Sequence, residues 1–341
     1  MTSPGRRPPS TAAVVIALLI VYVVWGSTYL AIAVMVQTMP PLLAAGARFG
    51  TAGLIMLAFL AARARLRSAD PAEPKEQVTA RHWRSAIIIG ALLLLGGNGG
   101  VVLAELRIPS GVAAVLIATV PIWLATFDAI LTRRRPSGLV IVGLVAGILG
   151  VAILLIPVEG LESLDPLGVL LTVGAAFSWA LGSIYARGAP LPRSGLRASG
   201  MEQLGGAAAL VLAGTLLGEL GEIDVSTFST QSILAVAYLI VFGSIVAFTA
   251  YTWLLANVPV STVGTYAYVN PIVAVALGAV FLAEPITPRT IIAAVIIIGA
   301  VAAMVSGRPR EEVKSMPASE GEKVKDRPRT VAPVARPDPE S

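Results

Sequence analysis

Two charged residues interrupt long apolar stretches of this sequence. Arg48 lies seven residues into one apolar run, and Glu105 lies at the end of the next. A charged side chain inside a bilayer is costly, so it usually faces the interior of a helix bundle or a water-filled cavity. We therefore expect Arg48 to anchor an anionic group of a substrate or to partner a proton-carrying carboxylate. The alternatives are a structural ion pair and a side chain that extends to the outer interface.

Glu105 is the candidate for proton coupling, because a partly buried carboxyl group takes up a proton more readily than an exposed one. Its alternative role is that of an interfacial residue that pairs with Arg107 or with solvent. Asn98 lies seven residues before Glu105 and therefore on the same helical face. If this run ends near Glu105, Asn98 lies at about the depth of Arg48.

Other polar and aromatic residues in the apolar runs complete a candidate binding site. The predicted substrate-binding set is Trp25, Ser27, Tyr29, Arg48, Asn98, Thr119, Trp179, Ser183, Tyr185, Tyr266 and Asn270. Pro121 and Pro271 are predicted helix kinks, since proline removes a backbone hydrogen bond, and freed carbonyls are tolerated where they line a cavity. The alternatives are hydroxyls that bond only to neighbouring backbone, and bends that serve helix packing alone.

The composition excludes several kinds of chemistry. The chain has no cysteine and one histidine, His82, which excludes disulfides, thiolate or histidine-cluster metal sites and a histidine-based catalytic relay. No stretch resembles a phosphate-binding Walker loop. The formal charge of +5 comes from basic residues in short segments between apolar runs, which indicates membrane orientation and not nucleic-acid binding. We expect no catalytic residue, metal or cofactor.

Membrane-spanning helices must position these residues. Hydrophobic residues make up 56% of the chain and charged residues 13%, against about 25% charged residues in soluble domains. A helix crosses a bilayer with about 20 mostly apolar residues. Ten runs qualify: 12–34, 41–61, 85–105, 110–131, 138–156, 167–186, 199–217, 231–255, 260–283 and 290–306. The sequence therefore predicts an all-α membrane protein with ten transmembrane helices.

The distribution of lysine and arginine predicts the orientation of these helices. With the N-terminus inside, the inner segments before the tail hold fourteen basic residues, whereas the outer loops hold only Arg107 and Arg289. Basic residues resist translocation, so both termini are predicted to be cytoplasmic in a multi-pass protein of the cytoplasmic (inner) membrane. Residues 307–341 are rich in proline and charge, and we expect them to form a disordered cytoplasmic tail.

The two halves of the chain repeat the same motifs in the same order. Gly26-Ser27-x-Tyr29 recurs as Gly182-Ser183-x-Tyr185, and two prolines of residues 109–121 recur with equal spacing in residues 259–271. Each half has five runs, and an odd number inverts the second copy relative to the first. We therefore predict two inverted five-helix repeats, residues 1–156 and 157–306, an architecture typical of transporters.

These motifs resemble those of the EamA-type permeases of the drug/metabolite transporter superfamily. The resemblance rests on W-G-S-T-Y-L-A-I (residues 25–32), on Arg48, on G-G-N-G-G (residues 96–100) followed by Ala104-Glu105, and on P-S-G-V-A-A-V-L-I-A-T-V-P (residues 109–121). It covers about residues 12–306. It implies a ten-helix inner-membrane carrier that often exports metabolites, amino acids or drugs. The second half has Gln203 where the first has Arg48, so the site is expected to be asymmetric.

We expect a secondary transporter that works by alternating access through a central cavity, with export as the direction that the resemblance implies. Its partners would be a small-molecule substrate, the lipid bilayer and protons. Glycines at three- and four-residue spacing permit close helix contacts within one protomer or between two, so both a monomer and a homodimer are consistent with the sequence. The alternative from another class is a membrane-embedded enzyme that acts on lipid-like substrates.

Overall fold

Helices account for nearly all of the regular structure. The computed structural model describes residues 9–66, 77–133, 138–155, 164–258, 263 and 265–306, and these contain no strand. Helices suit a bilayer because their backbone hydrogen bonds are made within one segment. They are α1 (Thr11–Met35), α2 (Pro41–Leu66), α3 (Ala80–Ala104), α4 (Ser110–Ile117), α5 (Val120–Thr132), α6 (Gly138–Leu155), α7 (Pro166–Gly188), α8 (Gly195–Leu216), α9 (Thr230–Leu254), α10 (Tyr266–Leu282) and α11 (Pro288–Ser306).

The predicted spans correspond to these helices in part. Six segments in the described part of the chain are long and apolar enough to cross a membrane: α1, α2, α3, α7, α9 and the segment Ser110–Leu131 that joins α4 to α5. Shorter apolar helices cover Ile141–Ile153, Val269–Leu282 and Pro288–Ala300. The count of ten spans and the inverted topology stay predictions. The predicted tail, residues 307–341, lies outside the described residues.

Three of the long helices contain a π-helical segment, in which the turns are wider. These segments are Val21–Trp25 in α1, Ala91–Gly99 in α3 and Leu239–Ala247 in α9. The Ser178 hydroxyl of α7 donates to the Leu92 carbonyl of α3 (2.8 Å), and the Trp25 indole donates to the Gly243 carbonyl of α9 (3.3 Å). π-Helical turns occur frequently at functional sites. The space that these three helices enclose is therefore a candidate functional site.

The two prolines predicted as kinks lie in different settings. The α-helix is interrupted between α4, which ends at Ile117, and α5, which begins at Val120. Pro121 lies in the first turn of α5. Proline is tolerated there because a first-turn N–H has no acceptor within the helix. Pro121 thus accompanies an interruption of its span, whereas Pro271 lies inside the continuous helix α10.

Glycines bring α8 close to α2 and α3. A Cβ added to Gly53 of α2 would lie 2.9 Å from the Gly200 carbonyl of α8. A Cβ added to Gly90 of α3 would overlap the Glu202 carbonyl and lie 2.5 Å from the Gly206 nitrogen of α8. Small residues stabilise helix contacts in membranes because they let two backbones approach. This packing brings α8 into direct contact with α2 and α3.

We expect Gly90→Ala to lower the free energy of unfolding by about 1–3 kcal/mol, because the added methyl group pushes two backbones apart. The measurement is thermal unfolding of the purified protein in detergent. Gly174→Ala is the control, since a Cβ at this helical position of α7 meets nothing within 4 Å. Equal unfolding temperatures for the two variants would contradict the prediction.

Candidate functional site: a central cavity

A cavity lies between α1, α2, α3, α7, α9 and α10, with the adjoining ends of α4 and α5 also in its wall. It holds about 730 Å³ of space that protein atoms do not occupy, which includes the part open to solvent. Its lining residues are Trp25, Thr28, Tyr29, Ile32, Arg48, Phe49, Leu94, Gly97, Asn98, Val101, Ile117, Val120, Ala175, Trp179, Gly243, Phe248, Tyr266 and Asn270. The π-helical segments of α1, α3 and α9 all contribute to this lining. Most of the wall is apolar, and Arg48 is the one charged residue among the described residues that line it.

Arg48 is held in the cavity wall by groups from three helices. Its side chain is buried, with 4% exposed. Its Nε donates to the Ser244 hydroxyl (3.0 Å), and its Nη1 donates to Asn98 Oδ1 (3.5 Å). The guanidinium carbon lies 4.4 Å from the centre of the Phe49 ring. None of the ion pairs between described residues involves Arg48, so neutral groups position this cation.

Ser244 joins Arg48 to its counterpart in the second half. The Gln203 amide of α8 donates to the Ser244 carbonyl (3.2 Å), while the Ser244 hydroxyl accepts from Arg48. Both Ser244 and Gln203 are at most 1% exposed. A Cβ at Gly243 would lie 3.1 Å from Arg48 Nη2, so this glycine leaves space for the guanidinium. The π-helical segment of α9 thus positions the cation.

Aromatic rings form the wall around Trp25. Its ring centre lies 4.8 Å from that of Tyr251, 5.4 Å from that of Tyr266 and 6.2 Å from that of Trp179. The rings of Trp179 and Tyr266 approach edge-on, which is a favourable arrangement for aromatic pairs. Phe248 adds a tilted ring 6.5 Å away. The cavity therefore combines a cation with a surface that suits an apolar or aromatic group.

Asn270 connects α1 to α10 at the cavity. With the amide assigned so that its nitrogen faces two carbonyls, it donates to the Tyr266 carbonyl (3.2 Å) and the Tyr22 carbonyl (3.1 Å). The Tyr22 hydroxyl also bonds to the Thr265 hydroxyl. The amide nitrogen of Asn270 thus joins the two helices where both contribute to the cavity wall.

The structure brings seven of the predicted binding residues together and leaves four outside the lining. The seven are Trp25, Tyr29, Arg48, Asn98, Trp179, Tyr266 and Asn270. Outside the lining, Thr119 and Ser183 donate to carbonyls of their own chain segment, those of Leu116 and Trp179 (both 2.7 Å). Ser27 donates to the Val24 carbonyl (2.8 Å) and bonds to the Tyr238 hydroxyl (2.6 Å). Tyr185 packs against the hydrophobic core.

Glu105 lies at the end of α3, one turn beyond the cavity residue Val101. Both of its carboxylate oxygens are shielded from solvent and accept no hydrogen bond from the described residues. Tyr29 and Glu284 lie within electrostatic range of it. Glu105 thus places a shielded carboxyl group, without a hydrogen-bond partner among the described residues, one turn from the cavity.

The alternative pairing of Glu105 with Arg107 is wrong. The Arg107 guanidinium instead forms a salt bridge with Asp165 at 2.9 Å, outside the spans. Its hydrogen bond to the carboxylate lowers the pKa of Asp165 below its ordinary value. The pair joins the connection after α3 to the start of α7. Because it is exposed, it contributes little to stability.

Sequence reasoning found Asn98 but missed two other residues that position Arg48. Ser244 is a lone hydroxyl in the apolar stretch Leu239–Ala247, and Phe49 directly follows the arginine. A hydroxyl in an apolar span was the available signal, since it needs a partner inside the protein. The polar residues of W-G-S-T-Y (residues 25–29) are conspicuous because they are clustered, whereas Ser244 is a single hydroxyl in an apolar stretch.

The sequence is similar to a known family and to named proteins. Residues 12–156 and 166–306 each match the EamA-like transporter family. An Escherichia coli K12 protein described as "Uncharacterized inner membrane transporter YedA" is 40% identical over 266 residues, which cover 77% of this chain and 80% of that protein. A "Probable amino-acid metabolite efflux pump" of the same strain is 28% identical over 295 residues, which cover 83% of this chain and 91% of the pump.

The fold is also similar to a solved structure. One crystal structure aligns with a TM-score of 0.56 at 21% sequence identity, and the alignment covers 86% of this chain and 96% of that one. At this identity the likeness shows a shared fold and nothing about activity.

We expect Ser244→Ala to lower the free energy of unfolding by about 1–3 kcal/mol, because it leaves the buried Arg48 Nε without its acceptor. Thermal unfolding in detergent measures this loss. Ser183→Ala is the matched control, since that hydroxyl bonds only to a carbonyl of its own helix. If both variants unfold at the same temperature, the hydroxyl of Ser244 does not hold Arg48.

Proposed function

Because the chain belongs to the EamA-like transporter family, we propose that it is a secondary carrier that exports a small amphipathic metabolite through the central cavity. The family and the relatives are transporters, so the alternative of a membrane-embedded enzyme is wrong. A gradient of protons or of the substrate itself would supply the energy.

The observation that carries the proposal is a buried cation in the cavity wall with no carboxylate beside it in the described part of the chain. The neutral partners of Arg48 are Ser244 and Asn98, and they leave its charge uncompensated. An anionic group of a substrate would supply the missing charge, and a guanidinium recognises carboxylates through paired hydrogen bonds. The aromatic wall around Trp25 would receive the rest of the molecule.

An amino acid or a related carboxylate-bearing metabolite meets both requirements. It offers a carboxylate to Arg48 and an apolar or aromatic side chain to the rings of Trp25, Trp179 and Tyr266. One relative is described as a probable amino-acid metabolite efflux pump, which agrees with this class of substrate. Export as the direction rests on that name and on the family resemblance.

Alternating access by two inverted halves is the proposed mechanism. The family matches the chain twice, once in each half. Two nine-residue π-helical segments, Ala91–Gly99 and Leu239–Ala247, lie at corresponding places of the halves. Each one offers a carbonyl to a side chain of the other half, from Leu92 to Ser178 and from Gly243 to Trp25. This reciprocal arrangement is what an internal repeat produces.

The orientation is part of the proposal. The excess of basic residues in the connections between spans indicates that both termini are cytoplasmic. The relative YedA is described as an inner membrane transporter, which supports the same location for this chain. The end of the bundle at which α2 and α4 begin is then the outer end. Glu105 lies at this end, next to the cavity, where it can exchange a proton with the outside.

Arg48→Ala should weaken the apparent affinity for a carboxylate-bearing substrate about 10- to 100-fold, which is the effect of losing hydrogen bonds to a charged group. Proteoliposomes are first tested with a panel of amino acids, metabolites and drugs. The substrate that moves is then compared with its carboxamide analogue, whose transport should respond much less. Arg63→Ala, at the exposed end of α2, is the control.

Two results would overturn these assignments separately. If no member of the panel moves, the carrier proposal fails. If Arg48→Ala affects the carboxylate and the carboxamide equally, transport stands and the role of Arg48 as an anion anchor fails.

Glu105→Gln should abolish the stimulation of transport by a proton gradient while substrate exchange continues, because an amide cannot carry a proton. The measurement compares uptake into proteoliposomes with and without an imposed pH difference. Glu222→Gln is the control, since Glu222 is an exposed glutamate at the same end. A pH dependence that Glu105→Gln leaves unchanged would exclude Glu105 as the proton carrier.

A further inference from the structure

Two helices of the N-terminal half begin without a side-chain cap of their own. α2 begins at Pro41 directly after Pro40, and α4 begins at Ser110 directly after Pro109. The first N–H groups of a helix have no acceptor within it, and a neighbouring polar side chain usually supplies one. A proline side chain offers no oxygen. α7 shows the ordinary arrangement, with Asp165 accepting from its own first turn.

Glu219 supplies the acceptor for α2 from the other half of the chain. It follows α8, and its Oε1 and Oε2 accept from the N–H groups of Leu42 (3.1 Å) and Leu43 (2.9 Å). The residue is buried, with 5% exposed. A Cβ at Gly214 of α8 would lie 2.9 Å from Glu219 Oε2, so that glycine leaves the space in which the carboxylate lies.

Glu284 does the same for α4. It follows α10, and its Oε1 and Oε2 accept from the N–H groups of Ser110 (2.8 Å) and Gly111 (3.1 Å). A Cβ at Gly278 of α10 would overlap Glu284 Oε2. The arrangement at α2 is therefore repeated at α4: a glycine near the end of one helix, a glutamate after it, and the first turn of a helix in the other half.

Both capping glutamates, Glu219 and Glu284, follow a residue with left-handed backbone. These residues are Gly218 (φ 90°) and Ala283 (φ 53°), and they turn the chain back toward the bundle. In the first half, Arg133 has the same left-handed backbone (φ 53°), but Arg134 follows it in sequence. An arginine side chain has no acceptor and cannot cap the start of a helix. Among the described residues, the glutamate caps that join the two halves lie at one end of the bundle.

We propose that the two capping glutamates hold the outer end of the transport path closed and that their bonds break when the carrier opens to the outside. Each carboxylate makes two charge-assisted bonds at the positive end of a helix dipole. All four bonds run from the C-terminal half to the N-terminal half, and alternating access separates the halves at one end at a time. The inference rests on the proposed transport cycle, but its test needs no substrate.

The test measures access to the cavity from outside. The chain has no cysteine, so a single Val101→Cys substitution gives one reporter in the cavity wall. Intact cells are treated with a membrane-impermeant maleimide, and the labelling rate is compared among variants. Glu219→Ala and Glu284→Ala should each raise the rate about fivefold, which corresponds to the loss of one helix cap. Glu219→Gln and Glu284→Gln should give smaller increases, because an amide oxygen still accepts.

The controls separate gate opening from other causes. Glu222→Ala removes an exposed carboxylate from the same loop as Glu219 and should leave the rate unchanged. Val225→Cys, 73% exposed in that loop, should be labelled rapidly and so verify the side of addition. Where an alanine variant does not fold, the matching glutamine variant decides.

The proposal is overturned if the cap variants label at the parent rate, or if Glu222→Ala raises the rate as much as they do. It is also overturned if Val225→Cys is labelled only from the cytoplasmic side. A failure of all transport assays would refute the carrier and leave the labelling result standing, so the two failures are distinguishable.

Discussion

The bond between Arg48 and Ser244 is the interaction on which the rest of the site depends. A guanidinium within a bilayer needs hydrogen-bond acceptors that lipid cannot offer. Here the acceptor is the Ser244 hydroxyl in the π-helical segment of α9. Carbonyls of the same segment accept hydrogen bonds from Trp25 and Gln203. This one π-helical segment therefore positions Arg48, Trp25 at the centre of the aromatic wall, and Gln203, the counterpart of Arg48 in the second half.

The same constraint explains the fold around the site. Every polar group within the bilayer must find a partner in the protein, and several of the partners come from the opposite half. Ser178 reaches the Leu92 carbonyl, and the capping glutamates reach the first turns of α2 and α4. Such contacts hold the halves together in one arrangement. They add to the close packing of α8 against α2 and α3, where glycines let the backbones of the two halves approach.

Sequence patterns indicated several residues of the cavity wall, but not the π-helical segments and capping glutamates around it. Arg48, Asn98 and Trp25 were predictable because polar and aromatic residues in an apolar span face the protein interior. Ser183 and Thr119 lie outside the cavity lining and bond to nearby backbone carbonyls, as serine and threonine in helices often do. The π-helical segments have no clear signature in an apolar sequence. The capping glutamates act on helices that are distant in the chain, so only the fold brings them to the prolines that start α2 and α4.

The account is tested most directly by an experimental structure of the protein with a transported substrate bound. It predicts that the anionic group of the substrate contacts the Arg48 guanidinium and that the apolar part lies against the rings around Trp25. A substrate bound away from this cavity, or one that leaves Arg48 paired only with groups of the protein, would contradict it.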